Sequence, residues 1–110
     1  MSLDDLTIKE AKELANLFGN SKNKEHPYKI GESYLLRTVT MIVVGKLEWV
    51  GDQELLLSNP SWIADTGRFH DALKKGTLNE VEPFVDDVIV GRSTIIDCTK
   101  WTHKLPKEQK

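Results

Sequence analysis

Three histidines, one cysteine and two pairs of neighbouring aspartates are the residues of this chain whose types suit metal binding or catalysis. His26, His70 and His103 lie far apart, and none has a histidine or cysteine partner at the spacing of a metal site. Each reads as a surface residue. Asp4-Asp5 and Asp86-Asp87 suggest an acid/base pair, but adjacent carboxylates on an extended chain point to opposite faces and serve as solvated turn residues. Cys98 closes the apolar run Ile95–Cys98 and reads as a small core residue, not a nucleophile. The sequence has no glycine-rich phosphate loop, nucleophile elbow or triad, so it points to no enzyme, no metal and no cofactor.

The tryptophans and two arginines remain. Proteins that stack on nucleic-acid bases interleave aromatics with Lys and Arg. Of Trp49, Trp62 and Trp101 only the last has an adjacent cation, Lys100, so packing in a core or a subunit interface is the favoured reading. Arg68, within Trp62–Phe69, reads as a loop pin paired with a carboxylate such as Asp65. Arg92 follows Gly91 in a turn and stands at an exposed tip.

A chain of 110 residues with 39% hydrophobic and 29% charged residues can fill one core, and one domain is expected. Its net charge of −2 supplies no general field for a polyanion, so nucleic-acid binding would need a local basic patch. A lone cysteine excludes an internal disulfide, and no segment has the length and apolarity of a signal peptide or a membrane-crossing helix. A soluble cytoplasmic protein is the expectation.

The elements that would position these residues follow from periodicity. Ile8, Ala11, Leu14, Ala15 and Phe18 recur at helical spacing behind Thr7 and Glu10, predicting a helix over Thr7–Phe18 that Gly19 ends. Tyr34–Val50 is too long for one straight strand, so a corner is expected near Thr38–Thr40. Ile42–Leu57 then reads as a hairpin turning at Gly51-Asp52, with a bend at Gly45 and a second arm running on toward Trp62-Ile63. In Asp65–Pro83, Phe69, Ala72 and Leu73 share a helical face, predicting a short helix over Arg68–Lys75 stopped by Gly76, then an irregular return path. A second, shorter hairpin turning at Gly91-Arg92 follows, and the tail from Trp101 is expected to lie over the surface.

Two of these stretches carry a resemblance. Gly45-Lys46-Leu47, the acidic turn at Gly51-Asp52 and Leu55–Leu57 look like the first Sm motif, and Val88–Arg92 running into Ile95-Ile96 looks like the second. Their order behind a helix resembles the Sm-like (LSm) small-barrel family, whose fold bacterial Hfq shares, and in particular bacterial and phage members with a long insert before the fourth strand. The resemblance implies a mainly β fold: an N-terminal helix over 7–18, a five-stranded, strongly bent Sm-like small barrel over 28–100, a short extra helix inserted between strands 3 and 4 within 65–83, and a tail over 101–110. It also implies a homo-oligomer, a closed ring of about five to seven subunits joined head to tail by pairing the fourth strand of one with the fifth of the next. Many members bind single-stranded RNA at the pore through the two turns, which carries over here to Gln53, Gly91 and Arg92 as nucleic-acid contacts.

Two departures bear on that function. RNA-binding members place an uncharged polar group where this chain has Glu54, and a ring of such carboxylates repels a phosphate backbone. The family's Arg-Gly order is reversed to Gly91-Arg92, with Val90 in the arginine's place. An RNA-binding ring and a ring-forming interaction scaffold, the latter using the insert 65–83, therefore stand as the two functional expectations.

Overall fold

A computed structural model of the chain describes residues 26–110, so the helix expected over Thr7–Phe18 lies outside the described residues. The elements are β1 (Ser33–Thr38), β2 (Ile42–Val50), β3 (Glu54–Asp65), α1 (Phe69–Lys75), β4 (Glu80–Pro83), β5 (Val88–Gly91), a 3-10 turn (Arg92–Thr94) and β6 (Ile95–Lys100).

The five-stranded barrel is not what forms. Six antiparallel strands make one open sheet in the order β4-β3-β2-β1-β6, with β5 also on β3. The cause lies in β3, whose twelve residues serve two partners. Its first part, Glu54–Leu57, pairs with β5, and its last part, Ser61–Asp65, pairs with β4. Between them Asn59 takes a positive φ of 47° and Pro60 brings no N–H, so the strand changes partner where regular pairing is least available. The sixth strand, β4, comes from the segment expected to be an irregular return path.

The expected second hairpin is also corrected. Strand β5 pairs with β3 and β6 pairs with β1, not with each other. The 3-10 turn carries the chain from one to the other, with Thr94 Oγ1 donating to the Gly91 carbonyl at 2.7 Å.

Other sequence signals hold. The corner falls at Val39-Thr40, and the β2–β3 register shifts between Val44 and Lys46, around Gly45. A Cβ at Gly45 would stand 3.1 Å from Leu57 Cβ and 3.3 Å from Pro60 Cα, so the glycine lets β3 cross closely at the bend.

Alternation along β1 divides the interior in two. Leu35 points to one face, where it meets Val44, Ile63, Ala72, Leu78, Val81 and Trp101; Tyr34 and Leu36 point to the other, with Val43, Leu47, Leu55 and Leu57. Each fully buried leucine contributes about 1.5–3 kcal/mol of transfer free energy. Helix α1 covers the first core with Ala72, Phe69 and Leu73, and Gly76 ends it at φ 76° with its N–H donating to the Ala72 carbonyl. The tail is more than a surface covering. Trp101 is only 4% exposed, His103 Nε2 donates to the Leu73 carbonyl at 2.8 Å, and Lys110 exchanges backbone hydrogen bonds of 2.9 and 3.0 Å with Val81 on the outer side of β4.

Candidate functional site

Gln53, Gly91 and Arg92, some forty residues apart in sequence, meet because β3 begins opposite the end of β5, pairing Glu54 with Gly91. The Arg92 backbone N–H donates to the Gln53 carbonyl at 2.8 Å. With Asp52, Glu54 and Ser93 they line an open cleft of about 520 Å³. Gly91 has φ −70°, and a Cβ there would meet Thr94 at an ordinary 3.7 Å, so neither backbone nor space demands glycine.

The Arg92 side chain turns back on the protein. Its Nη1 donates to the Gly51 carbonyl at 2.7 Å, and its guanidinium carbon lies 5.6 Å from the centre of the Tyr28 ring. It thus ties the β5–β6 connection to the β2–β3 turn and to the segment before β1. Among the described residues the cleft carries Asp52 and Glu54 beside Arg92, so these residues together form no basic surface.

The aromatic residues separate into two groups. Trp101 is core, as expected, but Trp49 is 51% and Trp62 42% exposed. The Trp49 indole lies over Gly51, and a side chain at position 51 would displace the outer end of that half-exposed ring. Arg68 does not pair with Asp65: Asp65 Oδ1 accepts from the Gly67 N–H at 2.8 Å, and no Arg68–Asp65 ion pair occurs among the described residues.

Sequence reasoning missed Tyr28 and Tyr34. Their rings meet edge to face at 6.0 Å, and the Lys29 N–H donates to the Tyr34 hydroxyl at 2.8 Å. Together with Arg92, Ile95, Asp97, Cys98 and Lys100 they border a notch of about 440 Å³ along β6. Two tyrosines six positions apart around Gly31 were the available signal, but which strand they would face was decided by the sheet order. Burial pushes the Tyr28 phenol up, with Cys98 and Tyr34 adding to the rise and Arg92 opposing it. Burial, and then Asp97, push the Cys98 thiol up to about 11, so Cys98 stays protonated at neutral pH.

A third depression, of about 580 Å³, is mostly apolar, bordered by Val39, Met41, Val43, Phe84, Val88 and Ile89. No group of three or more potential metal ligands occurs among the described residues, and no described helix is long and apolar enough to cross a membrane. Comparison with protein-family models and with curated proteins finds no match.

Proposed function

We propose that this chain is a cytoplasmic assembly module of Sm-like type whose copies join head to tail in a closed ring, the outer side of β5 in one copy pairing with the outer side of β6 in the next. The observation that carries this reading is the unequal treatment of the strand edges. The outer side of β4 is taken up by Lys110, whereas β5 and β6 each pair on one side only among the described residues. Ile89 on β5 and Ile96 on β6 are 64% and 67% exposed, and neither strand carries a proline, the one lysine being Lys100 at the end of β6. A strand added to such an edge satisfies its backbone groups and covers the isoleucines. Light scattering at micromolar concentration tests the proposal, and a monomer throughout defeats it.

Binding of single-stranded RNA at Gln53, Gly91 and Arg92 is the second reading, favoured by the gathering of all three at one cleft. Against it stand Glu54 and the engagement of Arg92 with Gly51 and Tyr28. Titration of labelled oligo-U and oligo-A at two salt concentrations decides, because phosphate-driven binding weakens as salt rises. An RNA-binding cleft predicts tighter binding by Glu54→Gln at low salt; a scaffold predicts no binding by either protein.

A further inference from the structure

We propose that the notch along β6 binds a small planar aromatic anion. Its volume of about 440 Å³ falls within the roughly 300–1,000 Å³ of small-molecule sites. Tyr28, Tyr34 and Ile95 supply aromatic and apolar wall, and Arg92 and Lys100 supply cations at its border. Arg92 is held in place by the Gly51 carbonyl and the Tyr28 ring, and only its Nη1 is hydrogen-bonded among the described residues. The Nε and Nη2 donors of a guanidinium fixed in this way suit a carboxylate or phosphate, and binding would require little further ordering of the side chain.

The opposing charge in the notch is already paired. Asp97 is bound by Arg37, whose Nε donates to Oδ1 at 2.8 Å and whose Nη2 donates to Oδ2. Lys100 is likewise paired, with Glu32 at 3.2 Å, a carboxylate outside the notch lining, so Arg92 is the principal cation there. A purely apolar ligand would leave the arginine unused, and a bare anion would leave the tyrosines unused. An aromatic carboxylate and a nucleoside monophosphate share the required chemistry. The notch is formed within one chain but runs along the β6 edge that ring assembly would cover, so a ligand there and a neighbouring β5 strand would compete for it.

Cys98 borders the notch and reports occupancy through its alkylation by iodoacetamide at fixed alkaline pH. The probes are 4-hydroxybenzoate, uridine 5′-monophosphate, uridine and inorganic phosphate. A fitting ligand at about ten times its Kd slows alkylation about tenfold, because free sites fall as 1 + [L]/Kd. Either aromatic anion doing so, with uridine and phosphate at the same concentration slowing it less than about twofold, supports the proposal and names the source of the ligand. Tyr28→Leu should abolish protection. Since Tyr28 packs at the margin of a core, the exposed Lys100→Gln serves beside it and should weaken protection by the anions while leaving the melting temperature unchanged. No protection by either aromatic anion at about 5 mM, a concentration well above the Kd of ordinary small-molecule sites, overturns the proposal. So does equal protection by phosphate or uridine alone, or protection that appears only with a rise in mass by light scattering.

Discussion

The two flanks of this sheet solve the same problem in opposite ways. At the β4 flank the chain closes its own edge: Trp101 sinks into the first core, and Lys110 pairs with Val81. At the β5 and β6 flank the edges have no strand partner among the described residues, and the second core reaches the surface through the half-buried Val88, Val90, Ile95 and Cys98. An unpaired strand beside apolar side chains is a surface for another strand, and on the proposed reading the two unblunted edges are where association would be directed. The gap between β5 and β6 also holds Arg92 and Tyr28, so one place in the fold carries the open edges and the notch.

The largest expected effect is on the closed flank. Trp101→Ala removes the anchor of the tail and should cost about 3–5 kcal/mol in urea unfolding, the usual range for a buried tryptophan cut to alanine. A loss below about 1 kcal/mol would mean that the tail is not part of the first core. Arg92→Ala should cost about 1–3 kcal/mol, because it removes a charge-assisted hydrogen bond to Gly51 and the packing over Tyr28. The oligonucleotide titration separates its roles, since removing an arginine that touches a phosphate would also lower the salt slope by about one.

Ile96→Lys on the open flank should leave the unfolding midpoint nearly unchanged and weaken self-association at least tenfold, about 1.4 kcal/mol, read by light scattering on dilution. An unchanged mass would move the subunit junction away from β6. The smallest effect concerns pH. Folded Cys98 holds its proton up to about 11, whereas the unfolded thiol gives it up in the ordinary thiol range. Its contribution to stability is therefore complete below that range and is lost as pH rises toward about 11. Melting followed across that window should fall less steeply in Cys98→Ser.

Local chemistry made much of this legible. Ile42–Leu57 announced a hairpin with a bend at Gly45, and the register shifts there because β3 passes too close for a side chain. Phe69, Ala72 and Leu73 announced α1, and Gly76 its end. Gln53, Gly91 and Arg92 were named from two turns, and strand pairing brings them together. Illegible were the sixth strand, the parting of β5 from β6, and the inward turn of Arg92. Glu80–Pro83 carries only Val81 as a buried residue, too little alternation to read as a strand, and it becomes one because β3 offers a partner.

The sequence by itself determined the hairpin and the short helix with their glycines at 45 and 76, and the absence of a familiar catalytic motif, because these depend on residues within a few positions of one another. Only the tertiary structure decided which strands pair, that the tail closes β4, and that Tyr28, Arg92 and Cys98 border one notch. Strand pairing joins segments tens of residues apart, and backbone hydrogen bonds are nearly indifferent to residue type. The choice among partners is therefore made by how the two faces of the sheet fill, which no local stretch of sequence contains.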